Sequence, residues 1–157
     1  MKTGNRKVLK VITLVLSVFV LFNIFWYAWR DMKYDSYINE MEENELSSWI
    51  VPRYKHVDDE GYDYSVKCPD YLSFTGNMSV GLPSLDNNPF TDFLVIWPKV
   101  FGGYEYGASL TVDGVNYQIM INEDGSAVDS QYSEIAAMSK ETIDLLLHKA
   151  NEKWDLK

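Results

Sequence analysis

Hydrophobic and polar positions divide the chain into three stretches. From Val11 to Trp29 no residue is charged, and Val, Ile, Leu and Phe fill most positions. A helix over this run is about 28 Å long at ~1.5 Å per residue, close to the ~30 Å hydrocarbon layer of a bilayer. Its apolar residues together favour insertion by about 4–7 kcal/mol, which outweighs Thr13, Ser17 and Asn23. Phe25, Trp26, Tyr27 and Trp29 gather at the far end, where an aromatic interface belt belongs. The reading is one transmembrane helix over 11–29. Small residues one and three positions before a cleavage point are missing, because Ala28 has Trp26 two positions earlier. The segment is therefore expected to be retained as a signal anchor.

The second stretch, 30–47, has no Gly or Pro, and Tyr34, Tyr37, Ile38 and Met41 recur at helical spacing. It predicts a helical stalk continuing out of the membrane, or a helix that packs one face on the domain. The acids Glu40, Glu42, Glu43 and Glu45 read as a solvated face.

The third stretch, 48–157, changes period repeatedly. Trp49–Val57, interrupted by Pro52, predicts an edge strand or extended lead-in. Asp58-Asp59-Glu60-Gly61 is a turn signal, and Tyr62–Lys67 alternates like a strand. Tyr71–Thr75 and Met78–Leu82 are short strand candidates about a Gly76-Asn77 turn, followed by a loop over Pro83–Pro89. Phe93–Trp97 is five apolar residues in a row closed by Pro98, which predicts a central strand covered on both faces. Tyr104–Val112 and Val115–Ile121 flank Asp113-Gly114, a pair suited to the positive φ angles of a type I′ hairpin turn. A second turn at Glu123-Asp124-Gly125 leads to a brief strand over Ser126–Val128. From Ser133 the period is helical, with Ile143, Leu146, Leu147, Ala150 and Trp154 on one face. Ser139 is a candidate cap, so the segment reads as one helix or two. Strands followed by helix predict an α+β domain: an antiparallel sheet of about five to seven short strands with the C-terminal helix laid on it.

Charge adds direction. The chain has 157 residues, 14 Lys and Arg against 23 Asp and Glu. Residues 1–10 hold Lys2, Arg6, Lys7 and Lys10 and no acid, whereas every acid lies in 30–157. A basic flank ahead of the span predicts a cytoplasmic tail over 1–10 and an extracytoplasmic domain over 48–157 in a single-pass protein of the cell membrane. The acidic balance argues against nucleic acid, whose phosphates require Lys and Arg.

Candidate chemistry is sparse. Asp58, Asp59, Glu60 and Asp63 resemble a calcium loop only superficially, since Gly61 comes too early and Pro69 stands at the twelfth position. Asn122–Ser126 is explained by a turn. One cysteine, Cys68, and two distant histidines, His56 and His148, provide neither a disulfide nor a zinc spacing, and no Gly-x-Ser-x-Gly elbow is present. Gly102-Gly103 is followed by no Gly-Lys-Ser/Thr, so it is no phosphate loop. Asn77-Met78-Ser79 is a formal glycosylation sequon. No cofactor, metal or catalytic residue is assigned. Phe90–Gly107 is dense in aromatics. One reading makes Trp97, Lys99, Phe101, Tyr104 and Tyr106 partner-binding anchors on a 98–106 loop, since aromatics dominate interface hot spots. The other buries those rings in the core.

The basic start, retained anchor, acidic stalk, near-absence of Cys and the block FTDFLVIWPKVFGGYEYGASLTVDG resemble the short, uncharacterised, single-pass surface proteins of low-GC Gram-positive bacteria. Tyr117–Gly125 is similar to hairpins of PepSY-like extracytoplasmic domains, a likeness of about ten residues from which no function is carried over. Three expectations for function follow. The first is a tethered binding or accessory domain with a protein partner in the envelope, lipid being met through 11–29. The others are an anchored cell-wall or peptide hydrolase, and a sensor subunit working through a membrane partner.

Overall fold

The computed structural model describes residues 2–83 and 92–156. Most of the expected Pro83–Pro89 loop, and Phe90 with it, lies outside the described residues. Two compact units are present, Met1–Asp35 and Ser36–Lys157.

The first unit is helix α1 (Lys2–Tyr34). Its Arg6–Tyr34 portion is long and apolar enough to cross a membrane by length and composition. Two of its polar side chains fold back on their own helix: Thr13 Oγ1 donates to the Leu9 carbonyl at 2.9 Å and Asn23 Nδ2 to the Phe19 carbonyl at 2.8 Å. Such back-bonding lets a polar residue sit in an apolar run without an unsatisfied group. At the far end Arg30 lies 5.4 Å from the Trp26 ring and 5.0 Å from the Tyr27 ring, with its guanidinium 2.8 Å from Asp31. A cation held among aromatics suits a membrane–water boundary.

The expected stalk over 30–47 is corrected by the structure: α1 ends at Tyr34, and Glu40 takes a left-handed φ of 63° that no helix continues through. In a helix the Tyr37 carbonyl accepts from the Met41 N–H. Here Met41 N–H donates to Ile38, and the Tyr37 carbonyl accepts the Trp154 indole N–H at 3.0 Å. The four acids then leave the helical register. Strand β1 (Glu42–Glu43) pairs with β2 (Arg53–Val57), which sets Glu42 opposite Lys55. Opposite charges across a ladder are favourable, whereas closely spaced acids on one helix face repel.

The second unit continues with β3 (Asp63–Lys67), β4 (Asn77–Gly81), β5 (Phe93–Pro98), β6 (Tyr104–Val112) and β7 (Val115–Ile121), then a 3-10 turn (Ser130–Tyr132), α2 (Ser133–Met138) and α3 (Lys140–Trp154). All seven strands form one antiparallel sheet in chain order, each paired with its sequence neighbour. The architecture is α+β, as the patterning predicts. The β6–β7 turn is made by Asp113 (φ 51°) and Gly114 (φ 77°). Tyr71–Thr75 is not a strand. It folds back at the end of β3, with Lys67 paired to Asp70 at 2.8 Å and Gly76 so tight on the Lys67 carbonyl that a Cβ would sit 2.1 Å away. Ser126–Val128 contributes only a bridge between Ala127 and Ile121. The C-terminus is two helices, and Ser139 stands between them without a side-chain capping bond.

Among the described residues one face of the sheet is fully covered and the other only in part. On one face Tyr64, Val66, Met78, Val80, Leu94, Ile96, Tyr106, Ala108, Leu110, Ile119 and Ile121 are all buried, and α3 places Ile143, Leu146, Ala150 and Trp154 in the same core. Trp154 meets Tyr64 edge to face at 5.7 Å. The expectation that β5 is covered on both faces is therefore corrected. Leu94 and Ile96 are buried, while Phe93, Val95 and Trp97 on the reverse face are only half-buried.

Candidate functional site

The reverse face is built by strand parity. Cross-strand pairing sets Ser65, Ser79, Val95, Gly107 and Met120 in one row, and Phe93, Ser109 and Gln118 in the next. The row is polar towards β3 and β4, where the Ser65 and Ser79 hydroxyls meet at 2.8 Å. Towards β5–β7 it turns apolar. Gly107 carries no side chain, and the Trp97 ring occupies that space: a Cβ there would lie 2.9 Å from Cη2 and Cζ3 of the indole. Trp97 thus forms a wall of an open pocket of about 270 Å³ lined by Phe93, Val95, Gly107, Ser109, Gln118 and Met120. Ser109 is buried at its margin and bonded to Asn116, whose Nδ2 donates to its hydroxyl at 2.9 Å. The pocket is shallow and mostly apolar, with Gln118 as its polar handle. It suits an apolar side chain of a partner, because enclosed small-molecule sites are larger and bury most of their ligand.

The five residues expected to act together are separated by the fold. Trp97 is on the reverse face. Tyr106, paired with Ile96, is on the core face and only 6% exposed, which withdraws it as an exposed anchor. Burial, and then the neighbouring charge of Glu123, raises its phenol above the usual tyrosine range. Tyr104 is half-buried, with its ring 6.3 Å from that of Tyr106 and its hydroxyl 3.2 Å from that of Tyr37. Lys99 stands at the hairpin base 3.5 Å from Glu105. Phe101 is fully exposed at the tip, beside Gly102 and Gly103 in left-handed conformations. Sequence reasoning missed Phe93, Val95, Gly107, Gln118 and Met120. The available signal was a small residue, Gly107, on the strand beside the large Trp97, whose ring leans diagonally over it.

A second cluster joins α3 to the β2–β3 turn. Asp58 accepts from the Glu60 N–H at 3.0 Å, the Tyr62 N–H at 2.9 Å and the Tyr64 hydroxyl at 3.1 Å. Burial pushes its carboxyl up, but these bonds and the Lys149 charge together outweigh that and hold it below the ordinary aspartate range. Burial first, then Asp58, drives the Tyr64 phenol far above the tyrosine range. Lys149 bonds Glu60 at 2.8 Å and lies 4.9 Å from the Tyr62 ring. Asp58 and Glu60 are thus used to close the turn against the helix, which accounts for two of the four acids that resemble a calcium loop. Asp124 plays a similar part in its own turn, accepting from the Ser126 N–H at 2.9 Å. Among the described residues no group of three or more His, Cys, Asp and Glu is placed to hold a metal. Cys68 is buried, and its N–H donates to the Pro52 carbonyl at 2.9 Å. His148 pairs with Glu152 at 3.3 Å on exposed helix surface.

No family model, no curated protein and no solved structure matches this chain.

Proposed function

We propose that this protein is a membrane-tethered contact domain: α1 anchors it, Lys2, Arg6, Lys7 and Lys10 hold the N-terminus in the cytoplasm, and the β-sheet unit works outside as the binding or accessory subunit of an envelope protein. The observation that carries the reading is the half-open apolar pocket on the reverse face, with Trp97 laid across Gly107. A soluble domain gains stability by covering such a surface, and an uncovered one with an aromatic wall is the form of an interaction hot spot. The anchor is supported by the uncharged run, the back-bonded Thr13 and Asn23, and Arg30 among its aromatics. Orientation rests on the basic residues preceding the span.

The test is site-specific photo-crosslinking in intact cells. A photoreactive residue at Met120, on the exposed rim of the pocket, is expected to trap one envelope protein, and one at Glu141 on the outer side of α3 is not. Met120→Arg should abolish capture by a crosslinker at Gln118 without lowering the melting temperature. Capture that is equal from Met120 and Glu141, or that survives Met120→Arg, refutes the pocket as the contact surface. A reporter fused after Lys157 should be active only outside the cytoplasm, and activity inside would overturn the orientation.

A further inference from the structure

The β5–β6 hairpin carries apolar side chains that the sheet does not use. Phe101 is wholly solvent-exposed and Val100 is 39% exposed. The tip is held open by Gly102 (φ 97°) and Gly103 (φ 75°) and closed at its base by the Lys99 N–H donating to the Gly103 carbonyl at 3.0 Å. The turn is thus built, and its geometry displays Phe101 instead of folding it in.

Its charge is also distinct. Residues 36–157 hold 21 acids against eight Lys and Arg, yet from Pro98 to Tyr104 the single charge is Lys99. Lys99 is paired with Glu105 at 3.5 Å, so an anionic lipid surface repels most of the unit and leaves this tip neutral.

Chain length bounds how far the start of the sheet unit can lie from that surface. Tyr37 lies eight residues beyond Trp29, the end of the uncharged run. Helical rise to Tyr34 and full extension after it keep Tyr37 within about 18 Å of Trp29. Tyr37 is also pinned to the hairpin's foot, hydroxyl to hydroxyl with Tyr104 at 3.2 Å, and its carbonyl is held by Trp154. The residue by which the chain joins the sheet unit therefore touches the foot of the hairpin through its side chain. An exposed Phe beside a Lys, within a short tether of the bilayer, matches the composition of interfacial anchors.

We propose that Val100 and Phe101 enter the headgroup–acyl boundary of the outer leaflet, with Lys99 at the lipid phosphates, so that the hairpin is a second membrane contact that fixes how the sheet unit faces its partner. This rests on α1 being a membrane anchor and goes beyond it.

The experiment uses the full chain reconstituted in vesicles of phosphatidylcholine and phosphatidylglycerol. Nitroxide labels are attached in turn to Val100→Cys, Ser17→Cys within the span, and Val115→Cys at the start of β7, beside the turn at the other end of β6. Buried Cys68 stays unlabelled, which the parent chain verifies. Power saturation compares access to oxygen, which partitions into lipid, with access to a water-soluble nickel chelate. The expected result is oxygen-dominated access at 100 and 17 and nickel-dominated access at 115. Adding Phe101→Ser should return the label at 100 to nickel-dominated access, since Phe101 is fully exposed and its replacement leaves the packing of the described residues unchanged. A label at 100 as nickel-accessible as that at 115 overturns the proposal. So does a label shielded from both reagents, which would mean a protein or a second copy covers the tip. Lipid access at 17 with water access at 100 overturns this inference alone, whereas water access at 17 overturns the anchor as well.

Discussion

Ile96 and Val95 are adjacent, similar in chemistry and on opposite faces of β5, so truncating each in turn measures how the sheet is covered. Ile96 is fully buried, facing Met78 on one side and Tyr106 on the other. Ile96→Ala removes three buried carbons, about 2.4 kcal/mol of transfer free energy at ~0.8 kcal/mol each. The cavity left beneath α3 raises the cost to about 3–4 kcal/mol. Val95→Ala removes two carbons from a half-open face, which gives about 1 kcal/mol. For a unit of this size each kcal/mol lowers the melting temperature by about 3–6 °C. The expected losses are therefore about 10–20 °C for Ile96→Ala and a few degrees for Val95→Ala. The assay is thermal melting of the full-length protein in detergent micelles, followed by near-UV circular dichroism, which reports aromatic packing of the sheet unit. Equal losses would show that both faces are covered and would remove the basis for a contact surface at Trp97. A negligible loss for Ile96→Ala would place the core elsewhere.

Gly125 has φ 77°, and a Cβ there would lie 2.9 Å from Ile143 Cγ2, so Gly125→Ala should destabilise by at least about 1–2 kcal/mol, read as a lower urea midpoint. Trp154→Phe keeps the contact with Tyr64 but leaves the Tyr37 carbonyl without its indole donor; it should cost about 1 kcal/mol, against about 3–5 kcal/mol for Trp154→Ala. Asp58 binds its proton more weakly folded than unfolded, so its stabilisation is complete above its ordinary value of 3.8 and lost as pH falls through the lower folded value. Asp58→Asn should therefore be less stable than wild type at neutral pH, with the gap narrowing below pH 3.8; a gap independent of pH would refute the assignment.

Elements whose cues lie within a few neighbouring residues were legible in the amino-acid sequence alone. The uncharged run from Val11 to Trp29 indicates a helix of membrane-crossing length. Asp113-Gly114 supplies the positive φ angles its hairpin adopts, and Ile143, Leu146, Ala150 and Trp154 recur at the spacing of the buried helical stripe. Together they lead to the α+β class. What only the tertiary structure decided depends on contacts between distant residues. The stretch after α1 carries a good helical stripe, yet Tyr37 gives its carbonyl to Trp154, 117 positions away, and Glu42 finds Lys55 on another strand. In Phe93–Trp97 every position is apolar, so no alternation marks which side is covered, and α3, lying against β4 and β5, makes that choice: Leu94 and Ile96 are buried. The same cause scattered the expected aromatic anchors: β5–β6 register turns Tyr106 into the core and Trp97 to the reverse face, and the hairpin carries Phe101 beyond both. A strand's period of two separates its faces, but which face meets the core is decided by the element that lands on it.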